Sequence, residues 1–541
     1  MSEPRRLSLA RLFAFSLLMT FGLLFGLNAL VEQAEDAGVI NTTAELGATQ
    51  MVVEELFTQQ GGFWLTTPYG EESMMPARVP VERGAGYRVA VVGGSWAMGS
   101  PYVVQQALLR GGGMVDFLRI SLEQGARVPI EVINAASGGQ DSHRVRAVAA
   151  EVVKLQPDVL VVATCNNEGT PGPSHVQRFL AQQASVRLLM TLGREPERSW
   201  FTAQDPDSEA IRRAFVENLE AIVESARRAA VPVLLATLPV NLDYPGFGLG
   251  HIAAGGITPP SPEPSAELLG EPEPMPEGFD GDSMPPCLAG VRLAEVGRAD
   301  LGVPLLQRCL SQEGGDPYFR RLAPNYLAMG RLRRGETTPA ARERLAHRFS
   351  PCIAQGIEHV VAGRGEEAEA RLRTCTEDLA ESLRWLGFAL QLQSKETEAG
   401  DALRQSVELK PRNRCRPTFN EEIRQVAARH EHVDLVDLER AFESLPPPAT
   451  DTPWFIDYCH MSWRGYAAMG RSVFAALAAR PGFPLAADAQ PLSDDVFQSA
   501  LTLPSGDGVA QWRALLDGWF RPPLTPQPTP PPAETPPPPP P

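Results

Sequence analysis

Ser95 is the first residue in the sequence that has the setting of a nucleophile. It follows the apolar run YRVAVV and a pair of glycines, which predicts a buried strand ending in a tight turn. Glycines permit such a turn because a side chain there would obstruct it. If the next segment begins a helix, its first backbone amides favour negative charge beside the hydroxyl. A serine at this turn can attack a carbonyl carbon; a serine that only packs in the turn is the alternative.

The segment DYCHMSWRG holds the base and the acid that such a serine needs. Asp457 and His460 are separated by three positions, just before an apolar helical pattern. A serine needs a base that takes its proton, and the base needs an acceptor that fixes its tautomer and stabilises the imidazolium. Among the eight histidines of the chain, His460 alone combines a close upstream aspartate with the start of a terminal helix. The pattern predicts a triad of Ser95, His460 and Asp457.

Two polar segments follow the next two predicted strands. In NAASGGQDS, Gly138 or Gly139 can offer a backbone N–H, and in ATCNNEG, Asn166 and Asn167 are neutral side-chain donors. Neutral donors suit an oxyanion that must be held without being protonated. Ordinary polar turns are the alternative for both segments. Because parallel strands place their sites beyond their carboxyl ends, we expect these segments at one edge of a sheet.

An alternation of strands and helices must position these segments. Strand patterns at YRVAVV, PIEVINAA, DVLVVAT and VPVLLATLPV alternate with helical patterns, and HVDLVDL adds another strand near the C-terminus. This alternation predicts a parallel sheet covered by helices on both faces. The intervening residues 288–411 are helical in pattern, and Leu383, Gly387, Ala399 and Pro411 have the offsets of a tetratricopeptide repeat. An unrelated helical bundle is the alternative for this region.

The N-terminus has the charge pattern of a signal anchor. Arg5, Arg6 and Arg11 precede an uncharged run from Leu12 to Val31. At about 1.5 Å per residue this run spans roughly 30 Å, the thickness of a bilayer core. The arginines are expected to stay in the cytoplasm, with the bulk of the chain outside. A lipid-attachment cysteine and a convincing cleavage site are both lacking, which favours an anchor over a cleaved signal peptide.

Composition excludes some partners and permits disulfides. The net charge of −16 makes nucleic acid a poor partner. An exported chain can form disulfides, and with seven cysteines at least one is free or paired with another chain. The pairs Cys287/Cys309 and Cys352/Cys375 have spacings that can join neighbouring antiparallel helices, although spacing alone does not prove a bridge. No cysteine or histidine cluster indicates zinc.

These patterns divide the chain into seven segments. They are a signal anchor at 1–31, a connecting segment at 32–82, the first part of the α/β domain at 83–245, a proline-rich linker (loop or disordered) at 246–287, a helical insert at 288–411, the last part of the α/β domain at 412–480, and a tail at 481–541 that ends in a disordered proline-rich segment. The insert leaves after the fourth strand, so we expect it at the rim of the site, where the linker would let it move as a body.

The ordered segments resemble the SGNH, or GDSL, hydrolase family, which is named for a serine, a glycine, an asparagine and a histidine in four blocks. The matching residues are Ser95 in GGSWAMG, Gly139 in ASGGQDS, Asn167 in CNNE and His460 in DYCH, with Asp457 matching the D-x-x-H of the last block. The resemblance covers roughly residues 83–245 and 416–480 and is closest to exported members with a tetratricopeptide-like region. It implies a flavodoxin-like three-layer α/β/α domain with a parallel sheet.

The resemblance also implies the roles of the matched residues. The N–H groups of Ser95 and Gly139 and the side-chain amide of Asn167 would form the oxyanion hole, with no metal or organic cofactor. Two positions depart from the family pattern: Gly94 replaces an aspartate, and Cys165 replaces a glycine, which leaves Asn166 and Asn167 open to a swap of roles. We expect Cys165 and Cys459 to be small packing residues, with a bridge between them as the alternative.

The expected function is that of a membrane-anchored, extracytoplasmic esterase that cleaves carboxylic esters through an acyl-serine. Its substrate would be a small or polymeric acyl ester. One alternative is an O-acyltransferase that acts on cell-surface polysaccharide. The other is an inactive α/β domain that serves as a scaffold, with the helical insert binding a protein partner.

Overall fold

A computed structural model describes most of the chain. It covers residues 26–34, 55–67, 77–82, 84–100, 102, 112–168, 208–242, 244, 264–275, 286–295, 299–312, 317–411, 414–446, 454–455 and 458–500. Asp457, most of the predicted anchor at 1–31 and the final 41 residues, 501–541, lie outside these ranges. Residues 26–34 are helical. Within the described ranges, no helix is both long enough and apolar enough to cross a bilayer.

The strands form two sheets. They are β1 (Phe57–Gln60), β2 (Phe63–Thr66), β3 (Arg78–Pro80), β4 (Tyr87–Gly93), β5 (Ile130–Asn134), β6 (Val159–Ala163), β7 (Val233–Ala236) and β8 (Val433–Val436). The first three form a small antiparallel sheet. The other five form a parallel sheet in the order β5-β4-β6-β7-β8. Its first strand in sequence thus lies between the second and the third, which is the flavodoxin-like order.

Two adjacent interior strands of the parallel sheet, β4 and β6, are continuous apolar runs. Val91 of β4 lies opposite Asn134 of β5 on one side and Val161 of β6 on the other. Both β4 and β6 are buried along nearly their whole length, as is typical of parallel strands covered on both faces. At the edge, β8 exposes Asp434 and Leu435. The strand runs of the sequence therefore become the centre of the core.

After residues 26–34, the chain has seventeen described α-helices, some of which pack on this sheet while others form a separate helical region. They are α1 (Ser95–Met98), α2 (Met114–Gly125), α3 (Ser142–Val152), α4 (Ser208–Arg228), α5 (Ala266–Leu269), α6 (Pro286–Glu295), α7 (Ala299–Ser311), α8 (Pro317–Arg333), α9 (Pro339–Arg348), α10 (Pro351–Val361), α11 (Gly365–Leu372), α12 (Leu379–Gln391), α13 (Glu396–Leu409), α14 (Pro417–Arg429), α15 (Leu438–Glu443), α16 (Trp463–Ala478) and α17 (Asp494–Ala500).

Two groups of helices cover the parallel sheet. Helix α2 packs against α16, while α3 packs against α4, which also packs against α14. If the crossovers have the usual right hand, the central position of the first strand places these groups on opposite faces. The chain is thus a mixed α/β protein with a five-stranded parallel sheet, an architecture compatible with three layers.

Segments on either side of the predicted α/β domain also pack on it. Leu56 and Val79, from the connecting segment, are buried in the main core. At the other end, the ring of Phe497 in α17 lies 5.1 Å from that of Phe117 in α2. Burial of these apolar side chains extends the ordered unit beyond residues 83 and 480.

Helices α6 to α13 form a second core with its own disulfides. Cys287 pairs with Cys309 between α6 and α7, and Cys352 of α10 pairs with Cys375, which lies three residues after α11. Both pairs are those that helical spacing allowed. The region is helical as predicted, whereas its tetratricopeptide character stays a prediction.

Part of the predicted linker is ordered, contrary to the expectation of a loop or disordered segment. Within 264–275 the chain forms α5, and Leu268 is buried against the helical core. Arg331 Nε donates to the carbonyl of Leu268 at 2.8 Å, and Gln307 Nε2 donates to that of Glu271 at 2.9 Å. Proline and glutamate content alone did not reveal these contacts, because their donors lie in distant helices.

Candidate active site

Ser95 begins α1 at the carboxyl end of β4. A Cβ atom at Gly93 would lie 2.1 Å from the carbonyl oxygen of Ala163, so only glycine allows β4 and β6 to approach this closely. Gly94 then takes the N-cap position of α1. The following Trp96 is buried, while Ser95 is half-buried. The turn therefore presents one hydroxyl at the edge of the sheet.

His460 lies opposite this hydroxyl. Its Nε2 is 2.8 Å from Ser95 Oγ, which is hydrogen-bonding distance and suits proton transfer. The helix that follows, α16, is held against the β4 turn by Tyr466, whose hydroxyl donates to the carbonyl of Ser100 at 2.7 Å. The Tyr466 ring also packs edge-on against Trp96, with centroids 5.9 Å apart. These contacts bring two distant parts of the chain together as a nucleophile and a base.

The other side of the imidazole faces sulfur and aromatic groups. Cys459 Sγ lies 3.7 Å from His460 Nδ1. The ring of Tyr458 packs edge-on against the imidazole at 5.9 Å and lies 5.8 Å from the ring of Tyr244. Asp457, the predicted acid, is outside the described residues, so its contact with His460 stays a prediction.

The loops after β5 and β6 converge on the same turn. The backbone N–H of Ser137 donates to the carbonyl of Gly93 at 3.1 Å, which holds the loop after β5 beside β4. Asn167 Nδ2 donates to the carbonyl of Gln140 at 2.9 Å. A Cβ atom at Gly94 would lie 3.0 Å from that Nδ2 atom. The Asn167 amide is therefore directly beside the turn that carries Ser95.

Among the candidates for the oxyanion donor, the two glycines and the two asparagines differ in exposure and backbone. Gly139 has a φ of +68°, the left-handed region that favours glycine, and like Gly138 it is exposed. Asn166 is buried, and its side-chain nitrogen and oxygen contact no hydrogen-bonding group among the described residues. Asn167 is half-buried. These differences favour Asn167 over Asn166 as a donor that a bound substrate can reach.

A buried polar network supports the loop after β6, and motif spacing did not predict it. Glu168 accepts from the backbone N–H of Ser142 at 2.7 Å and from its hydroxyl at 2.8 Å. Asn218 Nδ2 in α4 donates to the same hydroxyl at 3.0 Å. Burial raises the pKa of Glu168 well above its usual value, and the nearby Asp141 carboxylate raises it further. Its sequence signal was an acidic residue directly after the asparagine pair.

Cys165, which precedes the asparagine pair, forms a disulfide with Cys415. The alternative of a bridge to Cys459 is wrong, and so is the expectation that Cys165 is only a packing residue. The chain returning from the helical region passes the end of β6 and brings Cys415 to Cys165, whereas Cys459 is buried beside His460 in no disulfide.

The helical region contacts this edge of the sheet through α12. Arg384 Nη2 donates to the carbonyl of Tyr244, in the segment after β7, at 3.2 Å. Arg384 also forms a buried ion pair with Glu381 at 3.1 Å. Because Tyr244 packs on Tyr458, a chain of contacts leads from α12 to the neighbour of His460.

No family model matches the chain, and no curated protein matches it at a significant level. Any assignment of function therefore depends on the geometry of the site.

Proposed function

We propose that the chain is a serine ester hydrolase of the SGNH type. The observation that carries the proposal is the 2.8 Å contact between Ser95 Oγ and His460 Nε2 at the carboxyl edge of a parallel sheet. A hydroxyl and an imidazole at this distance form the core of a nucleophilic acyl-transfer site. The amide of Asn167 beside the same turn adds a donor for the charge that develops.

In the proposed reaction, Ser95 Oγ attacks the ester carbonyl carbon while His460 Nε2 takes the hydroxyl proton. Asp457 is assigned the role of orienting the imidazole and stabilising its positive charge. His460 then gives its proton to the leaving alcohol, which departs and leaves an acyl-serine. Water attacks that ester with His460 again as the base, and Ser95 is regenerated.

The proposed oxyanion hole consists of the N–H groups of Ser95 and Gly139 and the Asn167 amide. A side-chain amide has two N–H donors. One of them is directed at the carbonyl of Gln140, an oxygen that can only accept, so this contact fixes the orientation of the amide. The second N–H is then left for the oxyanion.

The proposed location is outside the cytoplasm, with the chain anchored to the membrane by its N-terminal run. Three disulfides support an oxidising compartment, because such bonds are rare in reducing cytosol. The uncharged run from Leu12 to Val31 after three arginines supports the anchor.

The test is hydrolysis of a small activated ester, p-nitrophenyl acetate, by the purified full-length protein in detergent. Ser95→Ala and His460→Ala should each lower turnover about 10⁴-fold or more, since each removes a member of the reacting pair. Ser444→Ala, which removes an exposed hydroxyl at the end of α15, is the matched control and should retain full activity. A serine-directed phosphonate should label Ser95, and labelling that survives Ser95→Ala would place the nucleophile elsewhere.

A further inference from the structure

The Cys165–Cys415 disulfide joins the loop that carries Asn167 to the point where the chain returns from the helical region. The two cysteines are 250 residues apart, and both are buried. Cys165 lies just after β6 and two positions before Asn167, while Cys415 lies just before α14. We propose that Cys165 and Cys415 are positioning residues, whose bridge holds Asn167 at the geometry needed for the oxyanion; this rests on the proposed function.

The Cys415 end of the bridge is firmly attached to the α/β core. The side chain of Asn420 accepts from the backbone N–H of Leu238 at 2.9 Å and donates to its carbonyl at 2.8 Å. In the same helix, Phe419 stacks on Phe215 of α4 with ring centroids 4.7 Å apart. Cys415 therefore offers a fixed point close to the ends of β6 and β7.

The Cys165 end belongs to a loop without regular structure. From Thr164 to Glu168 the chain forms neither a helix nor a strand. Glu168 anchors one end of this stretch through Ser142, and the bridge anchors the other at Cys165. Asn167 lies between these two anchors. Without the bridge, the half of the loop next to β6 would lose its covalent link to Cys415.

A small movement of Asn167 is expected to have a large kinetic effect. An oxyanion donor acts at 2.7–3.1 Å from the charge, and a displacement of about 1 Å can cost about 100-fold in rate. Because the oxyanion forms only in the transition state, the loss should fall on kcat and leave KM nearly unchanged. Opening the bridge should therefore lower kcat by about 10- to 100-fold.

The first test is a double-mutant cycle on p-nitrophenyl acetate with the full-length protein. Cys165→Ala with Cys415→Ala should lower kcat about 10- to 100-fold with KM changed less than about threefold. The matched control, Cys287→Ala with Cys309→Ala, removes a bridge inside the helical region and should leave both constants unchanged. In an Asn167→Ala background, opening the Cys165–Cys415 bridge should change kcat less than about threefold, because its target is already absent.

Equal losses of kcat in the two backgrounds would overturn the proposal, since the bridge would then act independently of Asn167. An unchanged kcat in the Asn167-containing protein would overturn it as well. If the double alanine variant does not fold, Cys165→Val with Cys415→Ala keeps more of the buried volume and takes its place.

Hydrogen exchange provides a readout that does not depend on catalysis. Backbone amides at 164–168 should exchange about tenfold faster or more in the variant without the bridge, and at the normal rate in the control variant. Unchanged exchange would overturn the inference even if the wild-type protein proved inactive on esters. Conversely, faster exchange in a protein that hydrolyses no ester would reject the proposed function and retain a bridge that holds the loop.

Discussion

Buried ionisable groups lie both at the edge of the parallel sheet and in the helical region that contacts it, and the two sets differ in how readily they lose their charge. At the edge of the parallel sheet, Glu168 and Asp141 are buried, and burial raises the pKa of both carboxyls. In the helical region, the buried groups include two guanidinium groups. Arg384 is buried with Glu381, and burial lowers the pKa of Arg333 to about 10. A raised pKa lets a buried carboxyl keep its proton to higher pH, whereas these arginines keep their charge.

The two regions therefore contact the site edge through different interactions, one through neutral hydrogen bonds and the other through a charged side chain. The reacting groups Ser95 and His460 and the donor Asn167 all belong to the α/β part, where neutral hydrogen bonds set their positions. The helical region reaches the same edge through Arg384, by a permanent charge. Changes in the helical region should therefore act mainly on stability, and changes at the sheet edge on chemistry and on its response to pH.

The largest expected effect comes from breaking the buried ion pair of the helical region. Glu381→Gln leaves Arg384 buried without its carboxylate, which typically costs about 3–5 kcal/mol. The measurement is the free energy of local opening of α12 by hydrogen exchange. Glu398→Gln is the matched control: its ion pair with Arg373 spans 3.3 Å and is exposed, so its loss should cost under about 1 kcal/mol. Similar costs for both variants would remove the distinction between the regions.

The next effect concerns the oxyanion donor at the edge of the parallel sheet. Asn167→Ala should lower kcat by about 100- to 1000-fold, the usual scale for one oxyanion donor, with little effect on stability. Asn166→Ala is the matched control, because it removes a buried amide without hydrogen-bond partners among the described residues and should leave kcat nearly unchanged. The measurement is kcat of both variants from steady-state kinetics on p-nitrophenyl acetate. A greater loss in Asn166→Ala would mean that the two asparagines have exchanged roles.

The parts of the molecule that sequence predicts are those that follow local periodicity. Continuous apolar runs gave β4 and β6, and the rule that sites lie at the carboxyl ends of parallel strands placed Ser95 near the asparagines. The spacing of Cys287 and Cys309 matched neighbouring helices, and the structure has that bridge. The strand and disulfide predictions depend on causes that act within one element or between consecutive elements, and the placement of Ser95 depends on a general rule for parallel sheets.

The parts that sequence does not reveal depend on contacts between distant segments. The bridge from Cys165 spans 250 residues, so no local pattern identifies Cys415 as its partner. Likewise, Ser142 and Asn218 in the Glu168 network come from two different helices. Only the folded topology brings such groups together, because it follows from the packing of the whole sheet.

The smallest expected effect is the pH dependence of stability that comes from Glu168 at the sheet edge. Burial raises the folded-state pKa of Glu168 above its unfolded value of about 4.3. Between these two values the folded protein retains a proton that the unfolded chain releases. The stabilisation that this retained proton provides is therefore complete below about pH 4. It is lost as the pH rises, by at most about 1.4 kcal/mol of unfolding free energy per pH unit.

Glu168→Gln keeps the shape of the side chain but cannot ionise, so its stability should lack this loss. Relative to the wild type, the variant should gain stability as the pH rises above 5, for as long as the folded wild type keeps the Glu168 proton, as measured by urea unfolding followed through near-ultraviolet circular dichroism. Part of the pH dependence should persist, because Asp141 also has a raised pKa. Glu217→Gln, at an exposed position on α4, should follow the wild type across the range. A constant difference between Glu168→Gln and the wild type at every pH would show that Glu168 is already ionised in the folded protein, and the contrast with the permanently charged helical region would then fail.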